Sequence, residues 1–375
     1  MEQIARGWLI YQMTDSPLLL GLIQATRALP LLFFGVIAGA VADRNDRKTT
    51  LLYAQHANMA LNLALATLVL TGHVAVWHVF VTAFLAGISM AFQQPARQSI
   101  IPDIVAREHL MNAISLNSAI LNMSRSVGPA LSGMLIAVFD VGGCYIIQAG
   151  LLFVASIWTH QLHLPKKPSR FGRGSIFVSV KEGLQYARTN PVARILLMVA
   201  LIPIILAQPY NTLFPVFARD IYQIGPAGQG MMLSVVAVGS VAGGFANAAW
   251  GDSAPWTKGV QLVGGLMCFG VSLMAFAISP MLLPALVALM FVGVSSTSYR
   301  AVNQTLIQSH VEDEYRGRMM SLYLLDRGLA PLGASFAGIV ATLFSARIAV
   351  GIMGLLTLLL AGWSMIASAR VRDMD

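Results

Sequence analysis

The stretch Gly39 Ala40 Val41 Ala42 Asp43 Arg44 Asn45 Asp46 Arg47 Lys48 decides how this chain is read, because a long apolar run stops there and five charges follow within six residues. Residues 18–42 before it and 51–70 after it are apolar, each long enough for the roughly 20 residues that cross a bilayer. A charged bend of this length between two such runs is a polar hairpin turn joining two membrane helices.

Composition agrees with that reading along the whole chain. With 57% hydrophobic and 11% charged residues among 375, and a mean hydropathy of +0.71, this is a polytopic membrane protein rather than a pair of soluble domains. The formal charge of +8 falls in short clusters between apolar runs, without a basic face interleaved with aromatics. That excludes nucleic acid as a partner and leaves the lipid bilayer. Cys144 and Cys268 each lie in an apolar run with neither metal-ligand nor disulfide-framework spacing, so both are expected to be buried thiols. No metal, no cofactor and no cleavable signal peptide are expected.

Apolar length places spans at 1–13, 18–42, 49–71, 75–93, 108–138, 143–162, 193–217, 229–250, 259–279, 282–303, 317–344 and 346–368. Nearly all Lys and Arg residues between them fall on one side, with only Arg219 and Arg347 on the other. By the positive-inside rule the even-numbered turns and the C-terminus are cytoplasmic. The stretch 163–192 carries Pro165, Pro168, Gly172, Gly174 and a cluster of Lys and Arg. It reads as a cytoplasmic linker between six-helix bundles at 1–162 and 193–375, with 176–186 able to form a short amphipathic helix at the membrane surface.

Internal repetition supports two halves. An offset of 206 pairs Gln98 with Gln304, Val105 with Val311, Glu108 with Glu314, Ser115 with Ser321 and Leu116 with Leu322. One deletion later, Gly128 pairs with Gly333 and Gly133 with Gly338. The same offset sets the start of the first helix before Met1, so that helix is expected to be truncated at its N-terminus.

Charges inside spans cost about 2.5–3.5 kcal/mol at a helix centre on insertion scales, which makes each a functional candidate. The spans hold Glu2, Arg6, Arg27, Arg125, Asp326 and Arg327. Glu2 and Arg6 are four apart, in the order that favours an intrahelical pair. Gln24 and Arg27 share a face about 15 Å below the outer end of the second span, at 1.5 Å per residue. Asp326 and Arg327 lie at comparable depth but point in different directions. Two readings stay open: Glu2 or Asp326 loads and releases a proton while the arginines tune its affinity, or all six form a buried ion network that holds the halves together. No HExxH, nucleotide-binding glycine loop or paired His and carboxylate set appears, so an enzyme is not expected. With no extracellular domain in view, neither is a receptor.

The residues Gly39, Asp43, Arg44, Arg47 and Lys48 resemble the loop between helices 2 and 3 of the major facilitator superfamily, with Asp46 where that pattern has a second glycine. The resemblance implies a cytoplasmic gate loop, with the aspartate near a helix of the other half. Gly128, Pro129 and Gly133 resemble the superfamily's antiporter motif, with Ser132 replacing one glycine. Trp8 to Pro17, Arg27 to Pro30 and Gln94 to Pro102 are similar to the branch that contains the enterobactin exporter and macrolide efflux proteins. The arginine that many drug antiporters carry in helix 4 is absent, since Ala83 precedes Gly87 by four.

What this resemblance implies is an all-α membrane protein of the major facilitator fold, two pseudo-symmetric six-helix bundles in the bacterial inner membrane. The expected function is proton-coupled efflux of an amphipathic organic compound by a monomer, with uptake or lipid movement as the alternative. In this family helices 1, 4, 7 and 10 line the central cavity. Gln93, Gln208, Tyr210, Asn211 and Tyr299 are the candidate lining residues, with Gln24 beside Arg27.

Overall fold

The computed structural model describes residues 1–44, 46–162, 185–186, 188–250, 255–312, 315, 319 and 329–367. Among these residues twelve long helical segments follow one another, with a 3-10 turn at Arg107–His109, and no strand occurs. They are α1 Glu2–Thr14, α2 Pro17–Arg44, α3 Arg47–Leu70 and α4 Val76–Ile104. The stretch Leu110–Gln161 is broken at Asp140 (φ 59°, ψ 177°) into α5 (110–139) and α6 (141–161). Then come α7 (191–221), α8 Gly225–Trp250, α9 Lys258–Ile278, α10 Leu282–His310, α11 Ala330–Leu343 and α12 Ala346–Ala367. Seven stretches are long and apolar enough to cross a membrane among the described residues.

Local chemistry sets the boundaries. Asp46 caps α3 and Asn190 caps α7, each side chain accepting from backbone N–H groups of the first turn, with Pro191 at the start of α7. At the end of α1, Asp15 turns left-handed (φ 49°) and its N–H closes on the Tyr11 carbonyl. Gly72 (φ 73°) does the same after α3, where the N–H of His73 reaches back to Leu68.

Hydropathy located the spans but misplaced several ends. α4 continues to Ile104 through Pro95 and Pro102, and α10 to His310, where spans ending at 93 and 303 were expected. Hydropathy marks the lipid slab, while backbone hydrogen bonding carries a helix on into water. In α7 the ladder changes type four times: α over Pro191–Ile202, π over Pro203–Ala207, 3-10 over Gln208–Leu213, α over Phe214–Val216, then π over Phe217–Ile221. Pro203, Pro209 and Pro215 recur every six residues, and each removes one donor from the ladder. Most of the expected span 317–344 before residue 329, the expected surface helix at 176–184, Asn45, Asp326 and Arg327 lie outside the described residues.

Contacts divide the chain into two compact units, Met1–Arg173 with Ile224–Met231, and Gly174–Gln223 with Met232–Asp375. In the first, α2 packs on α4, α3 on α4 and α6, and α1 on α5 and α2. In the second, α9 packs on α10 and α12, and α7 on α11. One small-residue contact recurs in both. A Cβ on Gly87 of α4 would collide with the Arg27 carbonyl oxygen of α2, and a Cβ on Gly293 of α10 would collide with the Val236 carbonyl oxygen of α8. The two glycines stand at the offset of the sequence repeat, so each unit brings its second and fourth helices together at the same level.

Candidate functional site

The polar core of the first unit is built on α1. Residues 4–11 are buried, so Arg6 is enclosed by protein, at 4% exposure. Arg6 Nη1 stands 2.6 Å from Glu2 Oε1, close enough for an ion pair but without the alignment of a hydrogen bond. Glu2 lies about 18 Å along α1 from its C-terminal end at Thr14, roughly half of the hydrocarbon thickness of a bilayer. From α2, Arg27 reaches Met90 of α4, with Nη2 at 3.6 Å from the sulfur, a weak acceptor. The charge of Arg27 acts on Glu2 together with that of Arg6. Tyr145 of α6 is fully buried in the same field. Beside it Cys144 faces Ser132 of α5 at 3.9 Å, and the Ser132 hydroxyl donates to the Met1 carbonyl at 3.2 Å. The structure thus brings together Glu2, Arg6 and Arg27 of the six expected intramembrane charges. The side chain of Arg125, like Asp326 and Arg327, lies outside the described residues.

The stretch expected to be a gate loop is nearly all helix, since only residues 45 and 46 separate α2 from α3. Arg47 donates to Asp103 Oδ2 at 2.5 Å and to the Ser99 carbonyl at 3.0 Å, both on α4. Lys48 donates to the Leu162 carbonyl at 2.9 Å, just past α6. These basic residues therefore fasten α3 to its neighbours within the first unit, over a small apolar cluster of Leu51, Ala96, Ile100 and Leu162. Sequence reading missed Asp103, the acid that follows Pro102 at the end of α4. The side chains of Asp43 and Arg44 lie outside the described ones.

The antiporter-like residues differ from one another. Nothing lies within 4 Å of where a Cβ on Gly128 would sit, whereas a Cβ on Gly133 would stand 2.5 Å from the Pro226 carbonyl oxygen and 3.0 Å from Gly230 Cα. Gly230 in turn faces Pro129 and Ala130. Gly133 is where α5 touches the first turns of α8.

In the second unit Gln208 donates to the Tyr299 hydroxyl at 2.8 Å. Tyr299 stacks on Phe269, and Tyr210 packs edge-on against Phe269 and Phe214. Asn211 is exposed, and Gln24 and Gln93 of the first unit are half-buried. Ser89 of α4 donates to the Ala54 carbonyl of α3 and so serves packing. A cavity of about 930 Å³ runs between α9 and α10, lined by Cys268, Val271, Ala275, Val287, Phe291 and Ser295 among others. Neither Gln208 nor Tyr299 lines it. Its walls are apolar, because the Ser272, Ser279 and Ser295 hydroxyls donate to carbonyls of their own helices. Cys268 is exposed in it, correcting the expectation of a buried thiol. A thiol behaves as a small apolar group, so exposure among the apolar walls of this cavity suits it. Among the described residues no group of three His, Cys, Asp or Glu is placed to hold a metal.

Comparison with known proteins agrees with this architecture. A family model described as "Transmembrane secretion effector" matches residues 1–375. The staphyloferrin A transporter of Staphylococcus aureus is 25% identical over 368 residues, covering 95% of this chain and 89% of that protein. Macrolide efflux protein A of Streptococcus pyogenes is 26% identical over 354 residues, covering 93% and 86%. The fold is shared with a bacterial homologue of the human lysosomal transporter Spinster, at a TM-score of 0.73 and 16% identity, over 99% of this chain and 94% of that one. The chain is therefore a multi-pass membrane transporter that belongs to the transmembrane secretion effector family of the major facilitator superfamily.

Proposed function

We propose that this chain exports an amphipathic organic compound across the bacterial inner membrane in exchange for protons, by alternating access, as a monomer with its C-terminus in the cytoplasm. The observation that carries the proposal is the carboxylate–arginine cluster at mid-bilayer depth, Glu2 against Arg6 with Arg27 in range. A charged network in that setting is costly, which marks its members as functional candidates. Protonation of Glu2 removes the charge that holds both guanidiniums, so one proton changes how α1 and α2 are held. The relatives' names favour efflux, of a macrolide in one case. The apolar cavity between α9 and α10 favours a second reading, movement of a lipid or another apolar compound.

The test uses proteoliposomes with a pH-sensitive dye inside and a macrolide as substrate. Proton flux that depends on the macrolide is expected for the natural chain. Glu2→Gln is expected to abolish proton-driven accumulation while leaving passive exchange. Proton-driven transport that survives Glu2→Gln would remove Glu2 as the coupling group.

A further inference from the structure

The cluster of α1, α2 and α6 holds more positive than negative charge. Among the described side chains it contains two guanidiniums, Arg6 and Arg27, which stay protonated in proteins, against one carboxylate, Glu2. The donors are also in excess. Arg6 Nε and Arg27 Nε are buried without a hydrogen-bond partner, and the buried Tyr145 oxygen lies beside Arg6, which leaves its O–H free to donate. The contact of Arg27 Nη2 is to a thioether sulfur, which answers its charge poorly. An enclosed surplus of charge and of unanswered donors is unfavourable, and an anion seated there would satisfy both. The guanidinium fork matches a planar carboxylate with two parallel hydrogen bonds.

We propose that Arg6 and Arg27 form the binding site for a carboxylate group of the transported compound, with the Tyr145 hydroxyl as a further donor. The substrate class is then an amphipathic organic acid whose apolar part rests on the surrounding helices. Glu2 holds Arg6 in place while the site is empty. The proposal rests on the reading of this cluster as part of the transport path, but it does not require proton coupling.

The experiment measures binding of 2-naphthoate and of its neutral amide, 2-naphthamide, to the purified full chain in detergent, by fluorescence titration, together with thermal unfolding. The natural chain is expected to bind naphthoate about tenfold or more tightly than naphthamide, as a charge-assisted pair implies. Arg27→Gln is expected to bring naphthoate down to the level of the amide and leave the amide unchanged, and Arg27→Lys to keep part of the preference. Because Arg27→Gln removes surplus charge, its unfolding temperature is expected to equal or exceed that of the natural chain. Equal binding of the two probes, a naphthoate preference that survives Arg27→Gln, or a fall of several degrees in that variant would each overturn the site. No anion preference in the natural chain, with its proton-driven efflux intact, sinks the carboxylate site alone. Absent proton flux with intact anion preference sinks the coupling alone.

Discussion

Asp46 stands where the superfamily pattern has glycine, and it gives the position a different role. Its carboxylate accepts from both the N–H and the hydroxyl of Thr49, capping α3. Asp46→Ala is expected to lower stability by about 1 kcal/mol, and Asp46→Gly by only a few tenths, measured by thermal or denaturant unfolding in detergent. The Thr49 hydroxyl holds the Asp46 carboxyl below its ordinary value. A depressed folded-state value means that the cap contributes fully above the ordinary aspartate range and fades as pH falls through the lowered one. The difference between the natural chain and Asp46→Ala should therefore narrow as pH falls below the ordinary aspartate range. At this scale the sequence was legible wherever partners are near in the chain: Glu2 and Arg6, four apart, meet as their spacing requires. Asp103 and Tyr145 were not legible, because Arg47 meets an acid 56 positions away and a buried tyrosine in an apolar run looks like any other.

Small residues decide how the helices approach. The three positions that resemble an antiporter motif look equivalent in sequence, but only Pro129 and Gly133 face the first turns of α8. Gly133→Ala is expected to cost about 1–3 kcal/mol through overpacking. Gly128→Ala meets open space and is expected to be neutral or to gain up to about 1 kcal/mol of helix propensity. Unfolding midpoints of the two variants side by side check this, and equal destabilisation would contradict the contact at Gly133. Helix positions were legible because about 20 apolar residues are a physical requirement of the bilayer. The C-terminal ends of α4 and α10 were not, since nothing in hydropathy separates a helix that stops from one that continues into water. The changes of ladder in α7 were signalled by Pro203, Pro209 and Pro215, whose even spacing passes unnoticed in a search for apolar length.

For the whole molecule, the distribution of Lys and Arg predicts one orientation. In a Cys268→Ser background, a cysteine at His73 is expected to react with a membrane-impermeant maleimide in intact cells, and one at Thr49 only after permeabilisation. The reverse pattern would invert the topology. The internal repeat was legible in part: loop and glycine matches gave the offset, and the paired contacts at Gly87 and Gly293 follow it. Its limit is visible at Gly128, which faces open space, while its counterpart Gly333 is tight against Ile205 and Pro209. The duplicated positions have since been put to different uses. At the junction of α5 and α6 the chain turns on Asp140 alone, in a backbone conformation that residues other than glycine rarely adopt. The two helices therefore meet at a joint with no loop between them, and the buried Tyr145 sits only five residues past it.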